Sequence, residues 1–495
     1  MSLRVLHVAS EVAPWAQTGG LADVVAALPP ACVAVTPGLR SATVAPLHRA
    51  ARARLAQAGA AVGPGRPLTV AVGAHRIEVV LVPVDGGGGR GGAAHTTWLV
   101  DCPALFDRDG LYGDRDGDFG DNHLRFAVLC RAALDAAPAI LGGPPDVVHG
   151  HDWQTGLASV LARLDALPAA VVFTVHNLAY RGLFPKAVVP ELGLPWQVFD
   201  LHHMEFWDQL SLLKGGMAYA DVVTTVSPTY AREILTPERG EGLDGFLRHD
   251  VTRVVGIVNG IDTAAWDPAT DPALPARFSA AAPGGKAACR EAVARELGLA
   301  LAPHEALAVA VARLTPQKGI DLVAELVPEL PALGVKLVVL GAGEPALEHR
   351  LRELADRHDH LAARIGFDVA LSRRLYAGAD LFVMPSRFEP CGLGQLYAMR
   401  YGAVPVVAAV GGLRDTVTDP GDAGLAAGEG TGFRFEHVDA AGLRWALARA
   451  ARMFRDEPRG FAAVRAAAMA RDSSWDASAR EYVQVYRAAL RARRS

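Results

Sequence analysis

The stretch Ala379-Asp380-Leu381-Phe382-Val383-Met384-Pro385-Ser386-Arg387-Phe388-Glu389-Pro390-Cys391-Gly392-Leu393-Gly394-Gln395 changes character at its midpoint. Leu381 to Met384 is a short apolar run of the kind that fills a buried strand, and Pro385-Ser386 ends it. A loop punctuated by Gly392 and Gly394 follows, and then a helix. A strand that opens this way sets a carboxylate, Glu389, and bare backbone N–H groups at the mouth of a sheet. The carboxylate suits sugar hydroxyls and the N–H groups suit phosphate oxygens. An ordinary strand–loop–helix connection has the same pattern, so this stretch alone leaves both readings open.

Outward from it, Val309-Ala310-Val311-Ala312-Arg313-Leu314-Thr315-Pro316-Gln317-Lys318-Gly319 again runs from strand through loop to a helix beginning near Ile320. Arg313 offers a planar fork and Lys318 a point charge, and both suit phosphate oxygens. The chain has five lysines against forty-four arginines, so a position needing only solvation would more often carry arginine. An incidental lysine at a helix start is the alternative. Strand-like runs recur at Val5–Ser10, Ile77–Val84, Asp146–His149, Val171–Val175, Val222–Val226, Val254–Val258, Val335–Leu340 and Val404–Ala408. Helical patterns lie between them, such as Leu21–Leu28 and Asn122–Ala137. This alternation implies an α/β chain of parallel sheets with helices on both faces, whose ligands sit beyond the carboxyl ends of the strands.

At 495 residues the chain exceeds what one core usually supports, and two domains are expected. The hinge is expected near Asn259-Gly260-Ile261-Asp262, and Asp472-Ser473-Ser474 caps a last helix from Trp475 to Arg491. Gly86–Ala94 and Ala280–Gly285 read as mobile low-complexity loops. A net charge of −4, with no long basic run, argues against nucleic acid as a partner. Five scattered cysteines without C-x-x-C fit free thiols in a reducing compartment. No basic lead-in precedes the first strand, and no apolar run approaches the roughly 20 residues that span a bilayer. A soluble, cytoplasmic protein without a membrane partner is expected.

Other motifs are weaker singly. Gln17-Thr18-Gly19-Gly20-Leu21-Ala22-Asp23 joins the first strand to the first helix, either as an anion-binding glycine loop or as a simple turn. His149-Gly150-His151-Asp152 suggests a metal, but local spacing supplies no third ligand, so no metal is expected and Asp152 reads as a site-lining residue. His176-Asn177 ends an apolar strand and either faces a ligand or caps. The Asp-x-Asp pairs between Asp107 and Asp118 fail as a calcium loop, because Phe119 and Arg125 stand where glycine and glutamate belong. Gly341-Ala342-Gly343 is half a dinucleotide fingerprint and a poor sign of NAD. No cofactor is expected.

Together these segments resemble the bacterial glycogen synthase and plant starch synthase family, retaining glucosyltransferases of GT-B architecture. The resemblance runs nearly end to end. It takes in Ser10-Glu11 with Gly19-Gly20-Leu21-Ala22-Asp23-Val24, Pro145 to Trp153, Thr174 to Tyr180, Thr225 to Ala231, Asn259 to Asp262, Arg313-Leu314 with Gln317-Lys318-Gly319, Arg387 to Leu393, and Gly411 to Val417. It implies two Rossmann-like doubly wound domains facing a deep cleft: residues 1–256, residues 257–472, and a final helix, 473–495, crossing back to the first. It implies ADP-glucose as donor and an α-1,4-glucan such as glycogen as acceptor. By position, Arg313 and Lys318 would bind the diphosphate. Glu389 would hold the donor glucose with the N–H groups at Cys391, Gly392 and Leu393. His176 would contact the sugar near the reacting carbon, and Asp152 would line the glucose and acceptor site. Gln17, Gly19, Gly20, Asp23, Asn177 and Asn259 would join the donor site, and Phe367 would lie near the base.

Two departures stand out. The family's glycine loop begins with lysine where this chain has Gln17, which implies weaker donor binding. Pro29 to Leu47 reads as a short, proline-broken region where the family has a helix and a strand. The alternatives are a related transferase using UDP-glucose or a small acceptor, and a weakly active glucan- or nucleotide-binding homologue.

Overall fold

The computed structural model describes residues 3–60, 62–84, 94–115 and 117–494. Asp116 and all of the Gly86–Ala94 segment except Ala94 lie outside the described residues. The chain forms two compact units, one of Met1–Gly260 with Trp475–Ser495 and one of Ile261–Ser474.

The first unit is built on a nine-stranded sheet. Its strands are β1 (Arg4–Val8), β2 (Arg40–Pro46), β3 (Arg66–Val72), β4 (His75–Val84), β5 (His95–Asp101), β6 (Val147–His151), β7 (Ala170–Val175), β8 (Val222–Thr225) and β9 (Val254–Gly256). They lie in the order β9-β8-β7-β6-β1-β2-β5-β4-β3. Every residue of β6 and β7 is buried, as strands covered on both faces require. The sheet is not wholly parallel: β4 runs antiparallel to both β3 and β5. The cause is local, since Gly73-Ala74 leaves only two residues between β3 and β4, enough for a hairpin and too few for a crossover. Gly73 has φ +54°, and a Cβ there would sit 2.1 Å from the Glu191 carbonyl oxygen, so glycine is required twice over.

The expectation of a proline-broken Pro29–Leu47 region is corrected. One helix, Gly20–Val35, runs through Pro29 and Pro30, and β2 follows directly. Both prolines are buried. An interior proline removes a backbone hydrogen bond and costs ~3 kcal/mol, and here burial keeps the helix formed. Val24, Leu28, Ala31 and Cys32 of this helix share a core with Val5, Val147 and Val172 of the sheet and with Trp475, Ala479, Tyr482 and Tyr486. That core joins the C-terminal helix, Trp475–Arg494, to the first unit.

The second unit holds six strands: β10 (Ala306–Val311), β11 (Val335–Gly341), β12 (Leu361–Ile365), β13 (Leu381–Met384), β14 (Val404–Ala408) and β15 (Phe433–Phe435). They are parallel throughout, in the order β12-β11-β10-β13-β14-β15. The residues read as a loop from Ala280 end differently, because Gly285 already opens a helix that runs to Leu297.

Each sheet reverses its winding once. In the second unit the chain lays down β10, β11 and β12 in one direction and then returns to place β13 on the other side of β10. In the first it winds from β1 towards β3 and returns to place β6 on the other side of β1. Beside such a reversal the connecting loops diverge to opposite faces and leave a crevice at the carboxyl ends of the two strands.

Candidate active site

The reversal in the second unit lies between the two stretches that the sequence analysis singled out. β10 and β13 pair in parallel, Ala308 beside Leu381. The loops beyond them are stitched together. The Arg387 N–H donates to the Gln317 carbonyl at 2.9 Å, and Gln317 Nε2 donates to the Phe388 carbonyl at 3.2 Å. The Arg387 guanidinium grips both Asp321 oxygens, at 2.7 and 2.6 Å, and the Pro316 carbonyl at 2.6 Å. Gly319, at φ +68°, lets the backbones approach so closely that a Cβ would lie 2.1 Å from the Pro385 carbonyl oxygen.

This stitching brings Lys318 and Glu389 together. Lys318 Nζ lies 2.5 Å from Glu389 Oε2, which also accepts from Ser386 Oγ at 3.2 Å. Glu389 is 6% exposed. A charge pair that is shielded from water yet reachable attracts strongly and can be re-paired by a charged ligand. Arg313 is exposed, and its guanidinium has no partner among the described residues. Gly392 takes φ +76°, and Gln395 Nε2 donates to the carbonyls of Cys391 and Gly392 at 3.1 and 2.9 Å. The N–H groups of Gly392 and Leu393 have no acceptor among the described residues. Phe367 follows β12 and is 92% exposed.

The reversal in the first unit lies between β1 and β6. The Glu11 carboxylate is buried just past β1 and fixes the glycine loop. It accepts from the Thr18 N–H at 2.5 Å, Thr18 Oγ1 at 2.6 Å and the Tyr112 hydroxyl at 2.5 Å. A Cβ on Gly19 would meet nothing within 4 Å, so packing inside the unit does not demand glycine there. Gln17 Nε2 donates to Asp23 Oδ2 at 2.9 Å. The Asp23 carboxyl is pushed up to about 6, by burial first and by Glu11, against the opposing pull of the Gln17 amide.

Asp152 ends β6 with φ +58° and ψ 178°, a conformation rarely adopted by a side-chain-bearing residue and common where a site overrides local preference. Its Oδ1 accepts from the N–H groups of His176 and Asn177 at 2.7 and 3.4 Å, which ties the loop after β7 to the end of β6. Burial pushes its carboxyl up to about 7, against those two N–H groups and with a further push from Glu11. Asn177 spends its side-chain oxygen on the Ala179 N–H, a turn-forming bond. Asn259 lies apart from this group, past edge strand β9 and buried.

His149-x-His151 has a third imidazole after all. Period two sets His149 and His151 on one face of β6, and the parallel register sets His7 of β1 beside His149. Ring nitrogens of all three lie within 4.8 Å of one another. The argument from local spacing is thereby corrected, because β1 supplies a ligand from 142 residues away in the chain. Most nitrogens of this cluster are already engaged in hydrogen bonds. The His149 and His151 rings are tilted 30° with centroids 4.2 Å apart. Both His149 nitrogens already face hydroxyls, Tyr486 at 2.9 Å and Thr174 at 2.6 Å. The other contacts are a hydrogen-bonded chain: His7 Nδ1 to His151 Nε2 at 3.3 Å, and His151 Nδ1 to His176 Nε2 at 3.1 Å. Burial holds all four rings far below the ordinary histidine value, His7 and His176 at about 3.

The structure therefore groups Lys318 and Glu389, with the Cys391–Leu393 backbone, at one reversal. It groups Gln17, Gly19, Gly20, Asp23, Asp152, His176 and Asn177 at the other. The sequence analysis gave no site role to Glu11, Tyr112, Ser386 or His7, although Ser10-Glu11 is among the segments that carry the resemblance. Glu11, directly after the first strand and before a glycine loop, carried the one local signal.

Comparison with known proteins agrees with this fold. Residues 4–249 match the model of the starch synthase catalytic domain, and residues 305–450 match that of glycosyl transferases group 1. The catalytic domain of starch synthase IV from Arabidopsis thaliana, solved with ADP and acarbose, superposes with a TM-score of 0.86 at 32% identity, covering 99% of this chain and 100% of that one. A sucrose-phosphate synthase from Thermosynechococcus elongatus shares the fold at a TM-score of 0.59 and 19% identity. Two doubly wound units with these neighbours define a glycosyltransferase of the GT-B fold. Glycogen synthase from Anaeromyxobacter dehalogenans (strain 2CP-1) is 51% identical over 98% of this chain and 99% of its own length. The chain belongs to the glycogen synthase and starch synthase family. Among the described residues no helix is long and apolar enough to cross a membrane.

Proposed function

We propose that the protein transfers glucose from ADP-glucose to the non-reducing end of an α-1,4-glucan with retention of configuration. The observation that carries this reading is the Lys318–Glu389 pair, 2.5 Å apart beside the β10/β13 reversal, with the unpaired Arg313 on the same loop. The name of the Anaeromyxobacter relative and the ADP and acarbose in the plant structure support it.

In this reading Arg313 and Lys318 hold the diphosphate. Glu389 holds glucose hydroxyls, helped by the free N–H groups of Gly392 and Leu393. Phe367 lies near the base. In the first unit His176 and Asp152 meet the sugar and acceptor, and Gln17, Gly19, Gly20, Asp23, Asn177 and Asn259 complete the donor's surroundings. The bond from the anomeric carbon to the phosphate oxygen breaks as the acceptor hydroxyl bonds to the same face of that carbon. The hydroxyl proton passes to the departing β-phosphate, and ADP leaves. Negative charge grows on that phosphate while the sugar becomes oxocarbenium-like, and the two cations oppose the first of these changes. Lys318 leaves Glu389 for the phosphate, which frees the carboxylate for the sugar. Five buried cysteines, none of them in a disulfide, fit the reducing cytoplasm as the place of reaction.

Purified protein with glycogen and either ADP-glucose or UDP-glucose tests the reading through nucleotide release. ADP released in step with glucan growth is expected. Equal or faster release of UDP would reassign the donor, and release without growth would remove the glucan. Glu389→Ala is expected to cut elongation by orders of magnitude without unfolding the protein, and near-normal turnover would defeat its assignment.

A further inference from the structure

A neutral imidazole carries one N–H and one bare nitrogen, so a chain of neutral imidazoles can point its hydrogen bonds in only one direction at a time. The chain His7–His151–His176 has two such polarities. In one, His7 Nδ1–H donates to His151 Nε2, and His151 Nδ1–H donates to His176 Nε2. His176 must then carry its proton on Nδ1. In the other, every proton moves to Nε2 and His176 presents a bare Nδ1. The Nδ1 atom of His176 has no partner among the described residues, and the residue is half-buried, so this is the edge it offers to a ligand.

The far end of the chain selects the polarity. His7 is fully buried, and its Nε2 has no hydrogen-bond partner among the described residues. In the first polarity that atom is a bare acceptor. In the second it is a buried N–H with nowhere to donate, the rarer and costlier of the two defects. His149 does not relieve it, because both of its nitrogens face Tyr486 and Thr174.

We propose that His7 and His151 are positioning residues that hold His176 as its Nδ1–H tautomer, so that His176 meets substrate as a hydrogen-bond donor and not as a base. The assignment of a sugar contact to His176 gives this tautomer its purpose and rests on the function proposed above; the polarity itself does not.

Long-range ¹H–¹⁵N spectra of the histidine-labelled full chain at neutral pH read the tautomers without any activity. His7, His151 and His176 are expected with pyrrole-type Nδ1 and pyridine-type Nε2, their signals assigned by loss in single variants. An Nε2–H tautomer at His151 or His176 overturns the proposal. Variants at His7 separate positioning from packing. His7→Asn places an amide N–H where Nδ1–H stood and should keep the His176 signature and kcat within about threefold. His7→Phe keeps ring volume but removes the donor and should lower kcat about tenfold with mixed tautomers at His176. The reverse order, Phe active and Asn impaired, would show that His7 only fills space and would overturn the proposal. If His176→Ala left kcat unchanged while the wild-type tautomers stood as expected, the function assigned to His176 would fail and the relay would survive.

Discussion

The two winding reversals share a topology and differ in their electrostatics. Beside β10 and β13 the groups form ion pairs, Lys318 with Glu389 and Arg387 with Asp321, and Arg313 has no partner among the described residues. Beside β1 and β6 burial works against charge. Four imidazoles sit far below their ordinary value, and two carboxyls are raised, Asp152 to about 7 and Asp23 to about 6. A diphosphate asks for cations that stay charged, and the second unit has them. Sugar hydroxyls ask for oriented donors and acceptors without net charge, and the first unit has those. The two crevices offer different chemistry because burial has been set differently around each of them.

The largest effect should come from breaking the charged side. Lys318→Met is expected to lower kcat about 10²–10³-fold, the range for removing one group that stabilises growing charge. Steady-state kinetics with ADP-glucose and glycogen check this. A rise in KM alone would mean that Lys318 binds ground state and transition state alike, and the contrast between the two reversals would lose its catalytic meaning.

The neutral side should reveal itself through acid. His7, His149 and His151 are all fully buried, with folded values held below the ordinary 6.5. A depressed folded value gives stability that is full above 6.5 and is lost as pH falls towards about 3. Asp152 acts with the opposite sign: raised from 3.8 to about 7, it gives stability that is full below 3.8 and lost as pH rises through 7. With His176, also held at about 3, four imidazoles outweigh the two raised carboxyls, Asp152 and Asp23 at about 6, and each group contributes up to about 1.4 kcal/mol per pH unit. A net loss of about 2–3 kcal/mol is therefore expected for the first unit between pH 6.5 and 5.5. Hydrogen exchange, corrected for its intrinsic pH dependence, should show protection falling in β1, β6 and β7 and holding in β10 and β13. Equal loss in both units would contradict the difference drawn between them.

A smaller effect tests how the neutral side is held. Asp152→Ala deletes the acceptor for the His176 and Asn177 N–H groups and should destabilise the protein by about 1–2 kcal/mol in urea titration. Asp152→Asn keeps a carbonyl in that place and should cost less. If both variants unfold at the wild-type midpoint, Asp152 does not hold the loop after β7.

The charged side was legible because its signals are local. Glu389 and Lys318 each follow a short apolar strand and precede a glycine, so strand, loop and chemistry lie within a dozen residues. The neutral side was legible only in part. His7 sits inside an ordinary apolar run, and its meaning depends on the parallel register that sets it beside His149. No periodicity in one strand announces the register of its neighbour. β2, β3, β5, β12 and β15 went unread for a related reason. β2 ends in proline, and the edge strand β3 alternates polar and apolar residues too weakly to stand out. Pro29 and Pro30 misled in the other direction, because a core joining distant segments overrode the local preference.

The smallest predicted effect bears on the one residue that belongs to neither class. Gln17 is neutral where the family's glycine loop begins with a cation, and its amide is occupied by Asp23. A lysine at this position would meet Asp23 in an ion pair and draw that carboxyl below its present value of about 6. It would also bring a permanent charge to the edge of the neutral side. A charge-assisted bond exceeds a neutral one by roughly 1 kcal/mol, so Gln17→Lys should tighten ADP-glucose binding about fivefold in calorimetry. Pairing with Asp23 competes for the same ammonium, so Gln17→Lys with Asp23→Asn should tighten it further. If Gln17→Lys binds equally or more weakly, and the double variant no better, the glycine loop does not face the donor phosphates. The first unit's role would then be confined to sugar and acceptor, which sharpens the division between the two reversals.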